Sequence, residues 1–481
     1  MRFWRRRLKT RPAGPWVKIS SNNPRSIVAI DVGATNIDVF QYSAELEVIE
    51  QRATSAQRCE APPYLSLDVE HVIEFALRSI VDFDRGVPVD AIVPCTHGSA
   101  VALIDERGEL VLPVMSYRAA VPDDIAKAYA DIEPSFEEVF APTNPGALTV
   151  ARQLLWQETS FSEEFGRVRT ILPYAQFLAF RLSSVLSAEV TSLGAQTHLW
   201  APGNADFSAL AKRRRWTDLI APMRLAGDRL GPMRMADLNG QGSVLCGIHD
   251  SAASFLQFTR HEPLVLLSTG TWIIAFDSGA ELDRLDPHRD QVANVKTDGT
   301  SIACARFMGG GEYGHICGEG NDASATVDCV KALISSGKFA LPSFTDSGGP
   351  MPGTGGHGRI LGKHPTSEME RASLATLYTA LMTAFSLDCL GNTGRVVVDG
   401  VFARNDVFLA VLGALLPKRE VFRVHGEAGS ARGAASLALP EPQPDVALEQ
   451  APRRPIPGLE PYFAAWLEKS QNAEKGARHD L

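Results

Sequence analysis

A strand, a glycine turn and a second strand occur twice in this chain of 481 residues, and this repeat restricts the fold more than any other feature. The first copy covers residues 26–40 with Gly33 at its turn, and the second covers 263–279 with Gly270 at its turn. Runs of β-branched residues that flank a glycine are typical of β-hairpins. The two glycines are 237 residues apart, about half of the chain, which predicts two related domains whose hairpin tips face a shared cleft. A chance likeness between two hairpins is the alternative.

Helical and strand patterns alternate outside the hairpins. Apolar residues recur at helical spacing over 69–83 and 374–385, and short β-branched runs at 90–94 and 396–398 indicate strands. This mixture predicts an α/β fold, and the chain is longer than one hydrophobic core usually holds. The predicted parts are a disordered basic tail (1–25), an amino-terminal domain (26–246), a carboxy-terminal domain (247–439), and a proline-rich connector with a terminal helix (440–481).

Charge and cysteine usage argue against several classes of protein. The chain has 47 Lys and Arg against 56 Asp and Glu, and the net charge of −9 argues against nucleic acid as the main partner. No run of 18 apolar residues is present, so we expect no membrane span. The seven cysteines form no Cys-x-x-Cys pair, which argues against a disulfide framework or zinc ribbon and favours the cytoplasm. Eight bases lie in the tail, where targeting or anion binding is the alternative to simple disorder.

The first hairpin tip places chemically useful groups close together. Asp31 precedes Gly33, Ala34, Thr35 and Asn36. Backbone N–H groups in such a turn can point at phosphate oxygens, and a carboxylate can hold Mg²⁺ directly or through water. We therefore predict that Asp31 binds the metal and that the other four residues bind phosphate.

The second tip offers a similar set of donors without a carboxylate. It contains Thr269, Gly270 and Thr271, which we predict to bind phosphate from the other side of the cleft. Two facing tips could hold a triphosphate between the domains. Neither the P-loop motif nor the Gly-x-Gly-x-x-Gly motif after a strand is present, so those two routes to nucleotide binding are absent.

Asp250 is the candidate catalytic base. It lies in Gly-Ile-His-Asp at 247–250, just before the second hairpin and at the junction of the predicted domains. An alcohol that attacks a phosphate needs an oriented acceptor for its proton, and a carboxylate serves well. The alternative is that Asp250 is the N-cap of the following helix, which is the commoner use of such an aspartate.

Four motifs in this order resemble those of the FGGY carbohydrate kinases. They are the first tip, Gly-Ile-His-Asp-Ser-Ala-Ala at 247–253, the second tip within Ser-Thr-Gly-Thr-Trp at 268–272, and Val-Val-Val-Asp-Gly-Val-Phe-Ala-Arg-Asn-Asp at 396–406. The resemblance covers about 26–439. It implies two ribonuclease H-like domains of the actin, Hsp70 and hexokinase fold around a central cleft, with Mg²⁺ and ATP as cofactor and co-substrate. It also strengthens the assignment of Asp250 as the base.

The sugar side most resembles the rhamnulokinase and fuculokinase branch, through Thr-His-Gly at 96–98, 112–118 and Glu-Val-Thr-Ser-Leu-Gly-Ala-Gln-Thr-His-Leu-Trp at 189–200. The resemblance implies substrate contacts for His97, Gly98, Arg118, Gln196, His249 and Asp250. A hydrogen-bonded structural role is the alternative for His249, as for any lone histidine at the end of a strand.

The adenosine side resembles the family at a glycine run and at a strand–turn–helix unit. The resemblance implies adenosine contacts for Gly309, Gly310, Gly400, Val401 and Asn405. The family usually has a second glycine where this chain has Val401, so we expect a narrower or rearranged adenine pocket. The glycine-rich loop at 348–362 also differs from the family, and we read it as mobile.

These features predict ATP-dependent phosphorylation of a terminal hydroxyl of a ketose, most closely of the L-rhamnulose or L-fuculose type. The alternatives are a kinase of the same fold for xylulose, ribulose or erythritol, and a non-catalytic sugar- or nucleotide-binding switch. The expected partners are ATP and a small sugar, with no nucleic acid and no membrane. A homodimer is compatible with the resemblance, which does not fix the oligomeric state.

Overall fold

A computed structural model describes residues 24–60, 62–346, 349–391, 394–425, 429–440 and 446–479. The strands are β1 (Ile27–Val32), β2 (Asn36–Tyr42), β3 (Val48–Ser55), β4 (Arg58–Cys59), β5 (Ser66–Leu67), β6 (Ala91–Thr96), β7 (Val101–Ile104), β8 (Thr170–Pro173), β9 (Ala188–Glu189), β10 (Trp200–Ala201), β11 (Asp206–Phe207), β12 (Met223–Arg224), β13 (Arg229–Pro232), β14 (Ser243–Leu245), β15 (Ile248–His249), β16 (Leu264–Thr269), β17 (Ile273–Asp277), β18 (Gln291–Val295), β19 (Ser301–Phe307), β20 (Phe339–Leu341), β21 (Arg359–Leu361), β22 (Arg395–Gly400), β23 (Val421–Val424) and β24 (Leu448–Gln450).

The α-helices are α1 (Val69–Gly86), α2 (Asp123–Ala130), α3 (Phe136–Val139), α4 (Val150–Ser160), α5 (Ser162–Phe165), α6 (Tyr174–Ser183), α7 (Val190–Leu193), α8 (Ala209–Arg213), α9 (Asp250–Leu256), α10 (Gly309–Cys317), α11 (Val327–Ser335), α12 (Glu368–Leu390), α13 (Asp406–Leu415), α14 (Ser430–Ser436) and α15 (Leu459–His479). Short 3₁₀ turns cover Trp216–Asp218, Thr259–His261, Leu282–Arg284, Pro287–Arg289 and Val401–Arg404.

The first sheet is built around the first predicted hairpin. β1 pairs antiparallel with β2 and parallel with β6, and the strand order is β3, β2, β1, β6, β14, β13. β1 is almost wholly buried because its apolar residues pack on both faces of the sheet. The hairpin therefore lies in the centre of the sheet, and its tip projects from the edge at which β6 also ends.

The second sheet repeats this arrangement. β16 pairs antiparallel with β17 and parallel with β22, within the order β18, β19, β17, β16, β22, β23, β24. In both sheets, the first strand of the hairpin lies between its hairpin partner and a parallel strand from further along the chain. The predicted α/β fold with two related domains is thus confirmed, and the likeness of the hairpins extends to the strands around them.

The two domains share a core of small residues. α14 packs against β1 and β6 of the first sheet and against α9. Ala431, Ala434 and Ala435 are buried there with Ile27 and Val93. The two helices approach closely, since a Cβ atom added to Gly433 would lie 1.9 Å from the backbone oxygen of Ala253. Residues near the carboxy terminus of the chain therefore complete the first domain.

The structure differs from the predicted limits of the first domain in two places. Arg25, the last residue of the predicted tail, forms an ion pair with Asp90 (Nη2 to Oδ1, 2.7 Å), whereas 1–23 lie outside the described residues. β15 pairs with β6, so the first sheet extends past the predicted limit at 246/247. Gly247, with φ of 91°, turns the chain between β14 and β15, which the sequence pattern alone did not indicate.

The segment predicted as connector and terminal helix belongs to the second domain. β24 pairs with β23, and α15 buries Trp466, whose indole N–H donates to the backbone oxygen of Ala340 at 2.8 Å. Residues 441–445 of this segment lie outside the described residues. The many prolines suggested an extended linker, but the apolar residues beyond them are anchored in the core.

The glycine-rich loop is packed rather than free in its described part. Met351 and Thr354 are buried, and the Thr354 backbone oxygen accepts a hydrogen bond from the Ser343 N–H at 3.0 Å. A Cβ atom on Gly355 would lie 2.5 Å from the backbone oxygen of Asp346. The glycines here permit close packing of neighbouring segments instead of mobility.

One described helix, α12, has the length and apolar composition of a membrane span. Its most apolar window is 89% buried inside the protein. That burial is typical of a central core helix.

Candidate active site

Asp31 lies near the end of β1, beside other carboxylates. It faces Asp38 across the hairpin, and the Ser430 hydroxyl donates a hydrogen bond to its Oδ2. Burial raises the pKa of Asp31 to about 7, the Ser430 hydrogen bond opposes this, and the charges of Asp250 and Asp38 add to the rise. The carboxylates of Asp31 and Asp250 therefore lie close enough to influence one another.

This cluster fits a cation that arrives with a nucleotide. Within the described residues, no group of three or more His, Cys, Asp or Glu could hold a metal ion. Mg²⁺ commonly keeps several waters and binds through one or two carboxylates plus phosphate oxygens. Asp31 supplies such a carboxylate, and a bound cation would lower its raised pKa. The donor set thus fits Mg²⁺ carried by a phosphate compound better than a resident metal.

Asp250 is the first residue of α9 rather than its N-cap. His249 occupies the N-cap position, and Asp250 Oδ1 accepts a hydrogen bond from the Ser251 hydroxyl at 3.1 Å. His249 Nε2 lies 3.1 Å from the same carboxylate oxygen, and the Asp250 side chain is 29% exposed. The capping alternative for Asp250 is therefore not what the structure shows. Its carboxylate is oriented by neighbours and still open to a ligand.

His249 and His97 lie together on the first domain. A Cβ atom on Gly98 would be 3.1 Å from His249 Nε2 and 3.0 Å from Ala195 Cβ, so a larger residue at 98 would require these neighbours to shift. His97 Nδ1 is 2.6 Å from the Gly98 backbone oxygen. Burial lowers the pKa of both histidines, which keeps them neutral at pH 7. The expected substrate contact of His249 stays a prediction, and its nearest polar partner here is Asp250.

The remaining residues predicted to contact the sugar differ in their surroundings. Gln196 is half-buried, and its Oε1 accepts a hydrogen bond from Arg306 Nη1 at 2.6 Å. Arg118 is exposed, with its guanidinium 5.9 Å from the ring centre of Tyr117, which in turn contacts the ring of His97. Gln196 is thus fixed in place, whereas Arg118 lies at the rim.

At the first tip, Gly33, Ala34, Thr35 and Asn36 lie between β1 and β2 or at the start of β2. The Gly33 N–H donates to the Asn36 backbone oxygen at 2.9 Å, which closes the turn. Thr35 and Asn36 are exposed. The side chains at this tip are therefore free to meet a ligand, whereas the Gly33 N–H is already used.

At the second tip, the Thr269 side chain has a structural role. It is 5% exposed, its hydroxyl donates to the Asp399 backbone oxygen, and it accepts a hydrogen bond from the Phe402 N–H at 3.0 Å. The Thr269 hydroxyl is therefore already used within the protein, and the predicted contact of Thr269 with phosphate stays a prediction. Gly270 and Thr271 remain at the cavity wall, and the Thr271 backbone oxygen accepts from Gly310 N at 3.1 Å.

A cavity of about 700 Å³ opens beside the second tip. This volume suits a nucleoside-sized ligand. Three residues of the predicted adenosine site, Gly310, Val401 and Asn405, line it. The other residues that line the cavity are Gly270, Thr271, Gly311, Tyr313 and Phe402. The rings of Tyr313 and Phe402 meet edge to face, with centres 5.6 Å apart, and give one wall an aromatic surface.

Two of the predicted adenosine residues, Gly309 and Gly400, lie outside the cavity lining and allow neighbouring segments to pack closely. A Cβ atom on Gly309 would lie 2.5 Å from Ile273 Cδ1, and one on Gly400 would lie 2.0 Å from the Thr269 backbone oxygen. Both glycines are needed for packing and do not line the cavity. Val401 is 62% exposed at the cavity mouth, where its side chain leaves the cavity open.

Sequence reasoning missed several residues in this region. Arg58 donates to the Ala34 backbone oxygen and lines a small cavity with Gly33 and His97. Ser430 and Arg306 reach the site from distant parts of the chain. Only Ser430 carried a signal, because its Gly-Ser-Ala-Arg-Gly-Ala-Ala segment at 429–435 has the small residues of a closely packed helix.

Comparisons with known proteins find similarity to carbohydrate kinases. Residues 261–446 match the family model "Carbohydrate kinase FGGY, C-terminal domain". L-fuculokinase of Escherichia coli (strain K12) is 21% identical over 281 residues, which cover 53% of this chain and 57% of the relative. L-fuculokinase of Salmonella typhi is also 21% identical, over 279 residues, with the same coverage. The chain thus spans little more than half the length of the curated relatives it matches.

Solved structures extend the likeness to nearly the whole chain. A carbohydrate kinase from Novosphingobium aromaticivorans is 28% identical with a TM-score of 0.84, and the match covers 94% of this chain and 100% of that one. A xylulose kinase from Rhodospirillum rubrum shares the fold at 16% identity with a TM-score of 0.76, covering 94% and 100%. The family-model match and these likenesses show that the chain has the fold of carbohydrate kinases and that its carboxy-terminal part, 261–446, is similar to the FGGY family.

Proposed function

We propose that this chain is an ATP-dependent carbohydrate kinase that phosphorylates a terminal hydroxyl of a ketose, most closely of the L-rhamnulose or L-fuculose type. One observation carries the proposal. Asp250 is oriented but partly open, and its charge acts on Asp31 near the first tip, while the cavity of about 700 Å³ lies beside the second tip. A base, a cation-binding carboxylate and a nucleoside-sized cavity are the three parts that phosphoryl transfer needs.

In the proposed mechanism, Asp250 accepts the proton of the attacking hydroxyl. The new bond joins the sugar oxygen to the terminal phosphorus of ATP, the bond from that phosphorus to the bridging oxygen breaks, and ADP leaves. His249 Nε2 lies 3.1 Å from Asp250 Oδ1, and this neighbour would help to hold the carboxylate toward the hydroxyl. Proton acceptance by such an oriented base contributes about 10²-fold to 10⁴-fold to the rate.

The two tips divide the binding of the nucleotide. Thr35 and Asn36 on one side, and the backbone around Gly270 and Thr271 on the other, would bind the phosphates. Asp31 would hold Mg²⁺, which when bound neutralises phosphate charge. The wall formed by Tyr313 and Phe402 would contact the adenine. Closure of the cleft would exclude water that would otherwise compete with the sugar.

The identity of the sugar is the finer part of the proposal. The curated relatives are named L-fuculokinases, which supports the deoxyketohexose class. Structures with the same fold are named xylulose, gluconate and glycerol kinases, so the fold itself does not select the substrate. Hydroxyl recognition would rest on His97, Gln196 and His249.

A coupled ADP-release assay with Mg·ATP tests the proposal. The panel contains L-rhamnulose, L-fuculose, D-xylulose, L-ribulose, erythritol, D-gluconate and glycerol. We expect one of the two deoxyketoses to give the highest kcat/KM. Preference for another panel member would support the proposed kinase activity and contradict the proposed deoxyketose substrate. Basal ATP hydrolysis that no sugar stimulates would reject the kinase in favour of a nucleotide switch.

A further inference from the structure

Arg306 links the two domains next to the proposed sugar site. It lies on β19 of the second domain, and its guanidinium donates to Gln196 Oε1 at 2.6 Å and to Asn144 Oδ1 at 2.8 Å, both in the first domain. Its Nε donates to Asp290 Oδ1 at 2.7 Å. The Arg306 side chain is 17% exposed, so these bonds are largely sheltered from water. One guanidinium thus binds two carboxamides across the domain boundary.

The chemistry of arginine fixes the orientation of both carboxamides. A guanidinium has five N–H donors and no acceptor, so Asn144 and Gln196 must turn their oxygens toward it. The Nδ2 group of Asn144 then points at Gln196 Oε1, at 3.5 Å. No acceptor for Gln196 Nε2 is found among the described residues. Arg306 therefore leaves the Gln196 amide as a hydrogen-bond donor available to a ligand.

The turn that carries Gln196 is held by the second domain. A Cβ atom on Gly194 would lie 2.3 Å from Val295 Cγ2, so the turn rests directly on β18. Gln196 itself has φ of 58°, a conformation that is uncommon for any residue other than glycine. Such a conformation persists when its surroundings enforce it.

The two ends of this link lie at the two halves of the proposed site. Ala195, next to Gln196, lies 3.0 Å from where a Cβ of Gly98 would be, on the side of His249. At the other end, the Arg306 guanidinium is 5.9 Å from the ring centre of Trp272, which follows Thr271 of the second tip. Arg306 is therefore connected to both the sugar side and the phosphate side.

We infer that Arg306 is a positioning residue for the sugar, an inference that rests on the proposed function. Its contacts direct the Gln196 amide toward a sugar oxygen only while the two domains are close enough for Arg306 to bond with Asn144 and Gln196. Sugar recognition is therefore coupled to the distance between the domains. Gln196 supplies the contact, and Arg306 acts through it.

The kinetic test compares three variants with the wild type. Arg306→Met removes the N–H donors and keeps much of the length of the side chain. Arg306→Lys keeps the positive charge but loses the planar set of guanidinium donors that can bind two carboxamides at once. The control is Arg289→Met, because Arg289 is 26% exposed and its ionic partner Asp286 lies in its own domain. With the best sugar of the panel, Arg306→Met should raise the sugar KM at least tenfold and the ATP KM less than threefold. Arg306→Lys should recover part of this loss, and Arg289→Met should change neither KM more than twofold.

A double-mutant cycle separates positioning from general stability. If Arg306 acts through the carboxamides, Asn144→Leu should raise the sugar KM less in the Arg306→Met background than in the wild type. Additive effects, equal changes in both KM values, or a lower melting temperature with unchanged KM values would overturn the inference. Asn144→Leu alone still tests the link if Arg306→Met does not fold.

Small-angle scattering of the full chain with Mg·ADP gives a readout that needs no sugar. We expect a larger radius of gyration for Arg306→Met than for the wild type and for Arg289→Met. An unchanged radius would overturn the link between the domains. If the wild type releases no ADP with any panel sugar, the proposed function fails, and the scattering alone then decides whether Arg306 joins the domains.

Discussion

The two hairpin tips share one scaffold and use it in opposite ways. In the first domain, the end of β1 presents Asp31, whose buried carboxylate has its pKa raised to about 7. In the second domain, the end of β16 presents Thr269, whose hydroxyl bonds to the backbone at Asp399 and Phe402. One tip therefore offers a carboxylate, whereas the other uses its side chain to hold the neighbouring backbone in place.

The parallel strands beside the two hairpins also differ in the side chains at their carboxyl ends. β6 leads into His97, a neutral imidazole beside the proposed sugar site, whereas β22 ends at Gly400, which has no side chain and a φ of 86°. The first domain keeps side chains that can act on protons and a cation. At the equivalent positions, the second domain has a glycine and a threonine whose hydroxyl is already hydrogen-bonded, and the cavity lies beside this tip. The repeated fold thus sets the positions of the two tips. The residues at each tip then determine its proposed role toward the sugar or the nucleotide.

The largest effect should come from the carboxylate at the junction of the two domains. We expect Asp250→Asn to lower kcat at least 100-fold with an ATP KM within about threefold of the wild type, because the amide cannot accept the proton. Steady-state ADP release measures both constants. Asp105→Asn, in an exposed turn, is the control of matched charge and should keep full turnover. Near-normal turnover of Asp250→Asn would remove this residue from the mechanism.

Gly400→Ala tests whether the second domain depends on a missing side chain. The new Cβ would lie 2.0 Å from the Thr269 backbone oxygen, so β22 or the tip must move. We expect a loss of about 3 kcal/mol in the free energy of unfolding and a higher ATP KM.

Gly299→Ala is the matched control for Gly400→Ala. Gly299 has a similar φ of 83° but nothing within 4 Å of an added Cβ, so it should lose only about 1 kcal/mol from backbone strain. Urea unfolding gives both values. Equal losses in the two variants would show that the close approach at Gly400 is unimportant.

Asp31→Asn tests the raised pKa of the carboxylate at the first tip through the pH dependence of stability. Because the pKa of Asp31 is raised to about 7, the folded protein holds a proton between about pH 4 and 7 that the unfolded chain has released. Wild-type stability therefore falls as pH rises through this window and is lowest above it. Asp31→Asn should add on the order of 2 kcal/mol at pH 8, little at pH 4, and weaken the Mg²⁺ dependence of turnover.

Ser430→Ala provides the opposite change at the same carboxylate. It removes a hydrogen bond that lowers the pKa of Asp31, so the pH window should extend upward. Melting temperatures measured from pH 4 to pH 9 without nucleotide test both variants. A constant difference between Asp31→Asn and the wild type at all pH values would contradict the raised pKa.

Val401 should give the smallest effect. Its side chain is 62% exposed at the mouth of the cavity, so Val401→Ala should change the ATP KM less than threefold. Val401→Trp should raise it more by covering the mouth. ATP titrations of turnover measure both. A large gain in ATP affinity for Val401→Ala would support the narrower adenine pocket that the sequence predicts.

Local patterns were the part of the molecule that the sequence could predict. The hairpins, the glycine turns and Asp31 follow from a few neighbouring residues, and the half-chain spacing of Gly33 and Gly270 indicated the two domains. The link between Arg306 and Asn144 joins residues 162 positions apart, and no local pattern encodes it. The withdrawal of the Thr269 hydroxyl likewise depends on β22, which pairs with β16 only in the folded protein.

The position of α14 imposes an order on the synthesis of this protein. Ser430, the donor to Asp31, is translated 399 residues after it, which is about 20 to 80 seconds later at ordinary ribosome speeds. Until then, the face of β1 and β6 that buries Ala431 and Ala434 has no cover. The amino-terminal half therefore leaves the ribosome with an apolar surface that residues 430–436 cover later, so a product truncated before Ser430 should be a ready substrate for chaperones and proteases.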